Sequence, residues 1–166
     1  MGQLLRGVVM FEALKSRIVG ERRSRDDILN ECNDLSRLDR LRHYAQDRDV
    51  RQRADARYRA LLVGGDASLR LDARIRGVQA CTDGAVLAYV ARSAREEQVR
   101  RAAVERLDSD RVLMEVALND PVARLRRYAV TRMADRELLR SVADAGHRED
   151  PRIARDAVRR LRALES

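Results

Sequence analysis

Three stretches of this chain align with one another without a gap. Thr82-Asp83-Gly84-Ala85-Val86-Leu87-Ala88-Tyr89-Val90-Ala91, then Asp108 to Ala117, then Ala134 to Ala143 carry the same apolar positions at a constant step of 26 residues. Leu87, Leu113 and Leu139 share one slot, and Val90, Val116 and Val142 share another, with Ala91, Ala117 and Ala143 beside them. Each block has a polar residue suited to helix capping near its start. A fixed period of this size marks a solenoid, in which each unit completes the core of its neighbour.

The same period runs through the helices between these blocks. Their slots read Ala73/Gly77/Val78/Cys81, Val99/Ala103/Val104/Leu107, Leu125/Ala129/Val130/Met133 and Ile153/Ala157/Val158/Leu161, so each repeat is expected to hold a longer helix and a shorter one. The second slot is always small, which lets a neighbouring helix approach closely. Ser93-Ala94-Arg95-Glu96 has the form of a capping box, and Asp120-Pro121 and Asp150-Pro151 place a cap before proline at the first helical position. The last interval lengthens to 28 residues, and the extra length is expected as an exposed loop over Asp144 to Glu149. The chain then closes on one long helix whose apolar slots are surrounded by Arg152, Arg155, Arg159, Arg160 and Arg162. That helix is either a polar end cap or a face open to another copy or another chain.

The pattern is weaker upstream. Leu4, Val8, Phe11, Leu14 or Lys15, and Ile18 predict an amphipathic helix over Gln3 to Val19, stopped by Gly20. Met10 is an alternative start. Ser24 is placed to cap a helix with Asp26 and Asp27 in its first turn and Ile28 and Cys32 facing inward. Ser36-Arg37-Leu38-Asp39 predicts another capping box, followed by Leu38, Leu41, Tyr44 and Ala45 on one face, so residues 28 to 45 read as a degenerate first repeat with Tyr44 inside. Val50, Ala54 and Tyr58 continue the long-helix spacing, although Asp55 stands in an apolar slot, and Gly64-Gly65-Asp66 ends that helix. The expected organisation is one domain over residues 1–166: an N-terminal helix and linker (1–24), degenerate capping repeats (25–66), regular repeats (67–149) and a C-terminal capping helix (150–166).

Charge is the other constraint. Charged residues make up 37% and apolar residues 45%, which is too apolar for a disordered chain and fits the thin core of a solenoid. The net charge is +8, and Lys15 is the one lysine among 35 basic residues. A genome biased in base composition explains that ratio more readily than bidentate anion recognition does. Two prolines, eight glycines and no sustained alternation leave no strand, so the class is all-α. Cys32 and Cys81 lie in apolar slots as reduced core residues, and no signal peptide or membrane-length apolar run is present, which places the expected location in the cytoplasm.

The run Val99 to Ser109 follows the pattern Val-Arg-x-x-Ala-Val-x-Arg-Leu-x-Asp with Ser109 in place of the last aspartate, and it resembles the short HEAT-like repeats of bacterial α-solenoids. The compact period also resembles leucine-rich-repeat-variant proteins, where an α-helix alternates with a short 3₁₀ helix. The resemblance covers residues 67 to 161 well and 25 to 63 loosely, and implies a right-handed α-solenoid of two-helix HEAT-like repeats serving chiefly as a binding scaffold. Two departures matter. This chain lacks the cysteines that ligate an iron–sulfur cluster in some variant-repeat proteins, and it lacks the tryptophans of HEAT-like DNA glycosylases.

No catalytic constellation emerges. His43 and His147 are the two histidines, each without a partner placed beside it, and Glu96-Glu97 and Asp26-Asp27 sit where helix dipoles account for them. No cofactor, metal or catalytic residue is expected, and an enzyme is the least favoured reading. Exposed arginines remain. Alignment puts Arg74, Arg100 and Arg126 in one column, Arg101, Arg127 and Arg155 in a second, and Arg106, Arg132 and Arg160 in a third. These columns are the candidate partner-binding residues, either for a protein with an acidic surface or for a nucleic-acid backbone, unless Glu105, Asp108, Asp110, Glu115, Glu137 and Asp156 neutralise them.

Overall fold

The structure, a computed structural model, describes residues 29–165. The chain divides into two units, Met1–Cys32 and Asn33–Ser166. Of the first, Leu29 and Asn30 are helical and the Cys32 amide donates to the Leu29 carbonyl at 3.2 Å. The expected helix over residues 3–19, the Ser24 cap and the choice between Met1 and Met10 lie outside the described residues.

The second unit contains α1 (Leu35–Tyr44), α2 (Arg48–Leu62), α3 (Leu71–Ala80), α4 (Gly84–Ser93), α5 (Glu97–Arg106), α6 (Asp110–Asn119), α7 (Ala123–Arg132), α8 (Arg136–Glu149) and α9 (Pro151–Ala163), with no strand among the described residues. Aspartates start many of these helices. Asp34, Asp47, Asp83, Asp135 and Asp150 each accept a hydrogen bond from an amide of the first turn, at 2.8–3.2 Å, satisfying donors that have no partner within the helix. Pro151 occupies the first position of α9, where the missing N–H costs nothing. Gly64 ends the α2 turn at φ 80°, a conformation that an L side chain resists.

The helices form two rows. In one row α3 packs on α5, α5 on α7 and α7 on α9; in the other, α4 packs on α6 and α6 on α8. The rows are joined by α4 on α5, α6 on α7 and α8 on α9, while α1 packs on α2 and α2 meets α3 and α4. This is a repeating helical arrangement, and its core is the set of repeated apolar slots. Leu87, Val90 and Ala91, their counterparts Leu113, Val116 and Ala117, and then Leu139, Val142 and Ala143 are all buried. So are Val99, Ala103, Val104 and Leu107 of the facing row, and Leu125, Ala129, Val130 and Met133 after them.

Several local expectations are overturned. The two helices of a unit are equal: α4, α5, α6 and α7 each span 10 residues, and the second is α-helical, without the 3₁₀ form of the variant-repeat proteins. The Ser93 box does not form, because Ser93 is the last residue of α4 and Glu96 turns to Arg74. Pro121 does not open α7, which begins at Ala123; Asp120 accepts from the Val122 amide at 2.8 Å and holds Arg100 as well. Ser36 lies inside α1, whose cap is Asp34. Tyr44 is 83% exposed, since it is the last residue of α1 and its ring leans toward His43. The stretch expected as a loop over 144–149 continues α8 to 14 residues. Gly146 permits this, because a β-carbon there would come within 2.8 Å of the Ala154 amide nitrogen where α9 crosses.

The small slot behaves as its spacing requires. Ala103, Ala129 and Ala157 have no exposed surface, and a β-carbon on Gly77 would meet the Leu35 side chain at 2.4 Å. Ala129→Leu is expected to overpack this contact and lower stability by about 1–3 kcal/mol, read as a lower urea midpoint with an unchanged m-value.

Candidate partner-binding surface

The three arginine columns have different fates, set by their position along the helix. Arg74, Arg100 and Arg126 are the fourth residues of α3, α5 and α7. A side chain there leans back toward the helix start, and each guanidinium grips the loop before the next helix in its row. Arg74 reaches Glu96 at 2.6 Å, Arg100 holds Asp120 through Nε and Nη2 at 2.6 and 3.2 Å, and Arg126 reaches Asp150 at 2.7 Å. Arg100 also donates to the Ala94 and Arg95 carbonyls, both at 2.9 Å, and Arg126 to the Asp120 carbonyl at 2.8 Å. Arg51, the fourth residue of α2, folds back in the same way on the Ala45 and Gln46 carbonyls. The first column is therefore structural. The side chains of Arg100 and Asp120 are 7% and 3% exposed.

The third column is also committed internally. Arg106, Arg132 and Arg160 are the tenth residues of α5, α7 and α9, and each reaches back to the residue ending the preceding helix of its row. Their acceptors are the carbonyls of Cys81 at 3.4 Å, Leu107 at 3.2 Å and Met133 at 2.9 Å. Cations placed at helix C-termini satisfy carbonyls left without an intrahelical partner and offset the negative end of the dipole.

What sets the second column apart is that it reaches neither a loop before the next helix nor the end of a preceding one, although Arg106 and Arg132 of the third are exposed as well. Arg101 is paired with Glu105 at 3.1 Å and lies 4.6 Å from the centre of the Tyr128 ring; Arg127 is paired with Asp156 at 2.6 Å; Arg155 donates to the Pro151 carbonyl at 3.2 Å. The side chains of Arg101 and Arg127 are 52% and 55% exposed. The column alignment left out three neighbours, of which Arg152 and Arg159 were expected around the last helix and Arg124 was not. Arg124, bound to Glu97 through two nitrogens, and Arg152 and Arg159 complete a face shared by α5, α7 and α9. A groove of about 460 Å³ runs between Arg101, Arg124, Arg127, Tyr128, Thr131 and Arg159. A second, of about 250 Å³, lies between Arg127, Arg152, Arg155 and Arg159. The helical wheel could have shown these arginines, since 124, 127 and 131 lie along one side of α7.

Another cluster was invisible in the repeat pattern. Arg42 of α1, whose side chain is 5% exposed, contacts Asp39 at 2.9 Å, Asp55 at 3.2 Å and Asp83 at 2.8 Å and lies 4.8 Å from the centre of the Tyr58 ring. The one clue was Asp55 in an apolar slot. The Arg42 hydrogen bond holds the Asp83 carboxyl below the usual carboxylate range, against the opposing effect of burial, and the Arg126 hydrogen bond does the same for Asp150. Of the expected histidines, His43 is exposed and its Nδ1 lies 2.8 Å from the Asp39 carbonyl; the side chain of His147 lies outside the described residues. Among the described residues, no group of three or more His, Cys, Asp or Glu side chains could hold a metal, and no helix is long and apolar enough to cross a membrane.

Comparison with known proteins yields no relative: no family model, no curated protein and no solved structure matches this chain.

Position should decide the effect of losing an arginine. Arg100→Ala leaves Asp120 charged and buried and is expected to lower stability by about 3–5 kcal/mol, whereas Arg101→Ala on the exposed face should change it by less than about 0.5 kcal/mol; urea unfolding of both variants makes the comparison. Depressed carboxylates stabilise the fold above their unfolded pKa of about 4, and this stabilisation is lost as pH falls through their lower folded values. The melting temperature is therefore expected to fall as pH drops below about 4, and Asp83→Asn should flatten part of that decline in a pH series of thermal melts.

Proposed function

We propose that residues 33–166 form a non-catalytic binding scaffold, a right-handed solenoid of HEAT-like two-helix units with a 26-residue period, and that the α5/α7/α9 face receives a protein with an acidic surface. The helix starts support the period: Gly84, Asp110 and Arg136 in one row, Leu71, Glu97 and Ala123 in the other. The observation carrying the functional reading is the segregation of the arginines. Two columns are tied to loops and helix ends of the array, while Arg101, Arg124, Arg127, Arg152, Arg155 and Arg159 gather on one face against Glu97, Glu105 and Asp156.

A protein suits this face better than a nucleic-acid backbone. Carboxylates are interleaved with the arginines, so a phosphodiester strand would pass close to negative charge at intervals. The basic face is confined to three helices, and Tyr128 is the single aromatic on it. An acidic protein surface can place its carboxylates selectively and fill the groove beside Tyr128 with apolar groups.

The test is capture by the wild-type protein and by the triple variant Arg101→Glu/Arg127→Glu/Arg155→Glu, with poly-glutamate or duplex DNA as competitor. Proteins retained by the wild type should be lost from the variant and displaced by poly-glutamate. Retention of the same proteins by both forms, or recovery of nucleic acid alone, would reject the reading.

A further inference from the structure

The smaller of the two hollows on the α5/α7/α9 face is lined entirely by charged side chains. Arg127, Arg152, Arg155, Asp156 and Arg159 bound its 250 Å³, so four positive charges face one negative charge. Residues 152, 155, 156 and 159 fall on one side of α9 at helical spacing, and Arg127 comes from α7 opposite.

Asp156 sets the arrangement. Its side chain is 13% exposed; one oxygen accepts from Arg127 Nε at 2.6 Å and the other lies 3.5 Å from Arg159 Nη1. Because Arg127 is held by Nε, its two terminal nitrogens keep their donors for another acceptor. Arg155 is held in the same way, through Nε on the Pro151 carbonyl. Among the described residues neither Arg152 nor Arg155 has a carboxylate partner, whereas Arg74, Arg100 and Arg126 each have one. The first amides of α9 are taken by Asp150, so the donors offered to the hollow are guanidinium N–H groups.

This hollow matches a compact anion of high charge density. A phosphomonoester carries about −1.5 to −2 at pH 7 and presents three strong acceptor oxygens, enough to bond several planar forks at once. A carboxylate or a phosphodiester brings one charge and two free oxygens and leaves more of the excess unanswered. The neighbouring hollow of about 460 Å³ shares Arg127, Asp156 and Arg159 and adds Tyr128, Thr131 and Ala163, which gives room for the chain that carries the phosphoryl group. Inorganic phosphate would leave that second hollow unused.

We propose that the Arg127/Arg152/Arg155/Arg159 hollow receives the phosphoryl group of a phosphorylated residue on the acidic partner, with the flanking residues of that partner lying in the adjoining hollow beside Tyr128. The inference rests on the acidic-partner reading above and adds the chemical group that is recognised.

The experiment follows fluorescence anisotropy of three labelled glutamate-rich peptides with the full chain, alike except for a central phosphoserine, serine or pair of glutamates. The phosphoserine peptide should bind saturably, about tenfold more tightly than the serine peptide and about fivefold more tightly than the glutamate-pair peptide. Arg152→Gln/Arg155→Gln should shrink the preference for phosphoserine over serine to less than about twofold. Arg101→Gln/Arg124→Gln, beside the larger hollow, should weaken both peptides and keep the preference. The control Arg92→Gln/Arg111→Gln on α4 and α6 should alter neither affinity, and unchanged thermal melts verify that every variant folds. Equal binding of the phosphoserine and serine peptides overturns the inference and leaves an acidic partner standing. Absence of saturable binding by the phosphoserine peptide also overturns it, while the capture experiment above decides the acidic partner separately. A preference that survives Arg152→Gln/Arg155→Gln, or is lost equally in the Arg101/Arg124 pair, overturns the assigned place. Inorganic phosphate that displaces the peptide mole for mole overturns the protein-borne source, and a single-stranded oligonucleotide that binds as tightly as the phosphoserine peptide overturns the choice of a monoester.

Discussion

The structure depends on arginine pairs that tie consecutive repeats together, the most buried of them Arg100–Asp120. A row of short helices has a core only one side chain deep, and loops between such helices carry polar groups that a thin core shields poorly from competing interactions. Arg100 meets this constraint by holding Asp120 through two nitrogens while its remaining nitrogen closes on the Ala94 and Arg95 carbonyls. One side chain thereby fixes the loop before its own helix and the loop before the next. Burying two charges is costly, and such a pair is tolerated only with this degree of hydrogen bonding. Arginine can do this where lysine cannot, because the planar fork presents several donors in fixed directions.

The same constraint sorts the charge of the protein. Position four of a row helix points toward loops and is drawn inward; position ten lies beside the end of the preceding helix and is drawn to its carbonyls; position five has only water or a neighbouring side chain. Identical residues at a constant period therefore have unlike roles, and a column of arginines in an alignment is no measure of surface potential. Arg74 shows how tightly the inward positions are packed. A β-carbon on Gly64 would lie 2.3 Å from its Nη1, and its own Nε is buried without a hydrogen-bond partner.

Much of the core was legible in the sequence, because burial of Leu87, Val90, Val104 or Met133 follows from apolar periodicity alone. Caps were legible where a short aspartate serves an amide and an arginine together: Asp83 caps α4 while holding Arg42, and Asp150 caps α9 while holding Arg126, whereas the longer Glu96 reaches Arg74 and makes no cap hydrogen bond. The Arg42 cluster had almost no signal, since its acids lie on three different segments and only the fold brings them together. α8 was misjudged for a related reason. Gly146 usually interrupts a helix, but here the close crossing of α9 needs a residue without a β-carbon, and packing outweighs the local cost. On the candidate surface, Arg101, Arg127 and Arg155 were legible as a column, while Arg124, Arg152 and Arg159 join them only once α7 and α9 lie side by side.

A repeat array also differs from a closed domain in having ends. Within the row, every helix is both covered and covering, so its exposed arginines can be answered by the next helix, as Arg127 is by Asp156. Among the described residues, α9 packs on α7 and α8. Its C-terminal turn is closed, since Arg136 donates to the Leu164 carbonyl and the Leu164 amide bonds back into the helix, so α9 is a finished helix rather than a frayed one. Along its side, Val158 is partly exposed where Val78, Val104 and Val130 at the same helical position are fully buried, so the covering of this slot changes along the row while its apolar character is kept.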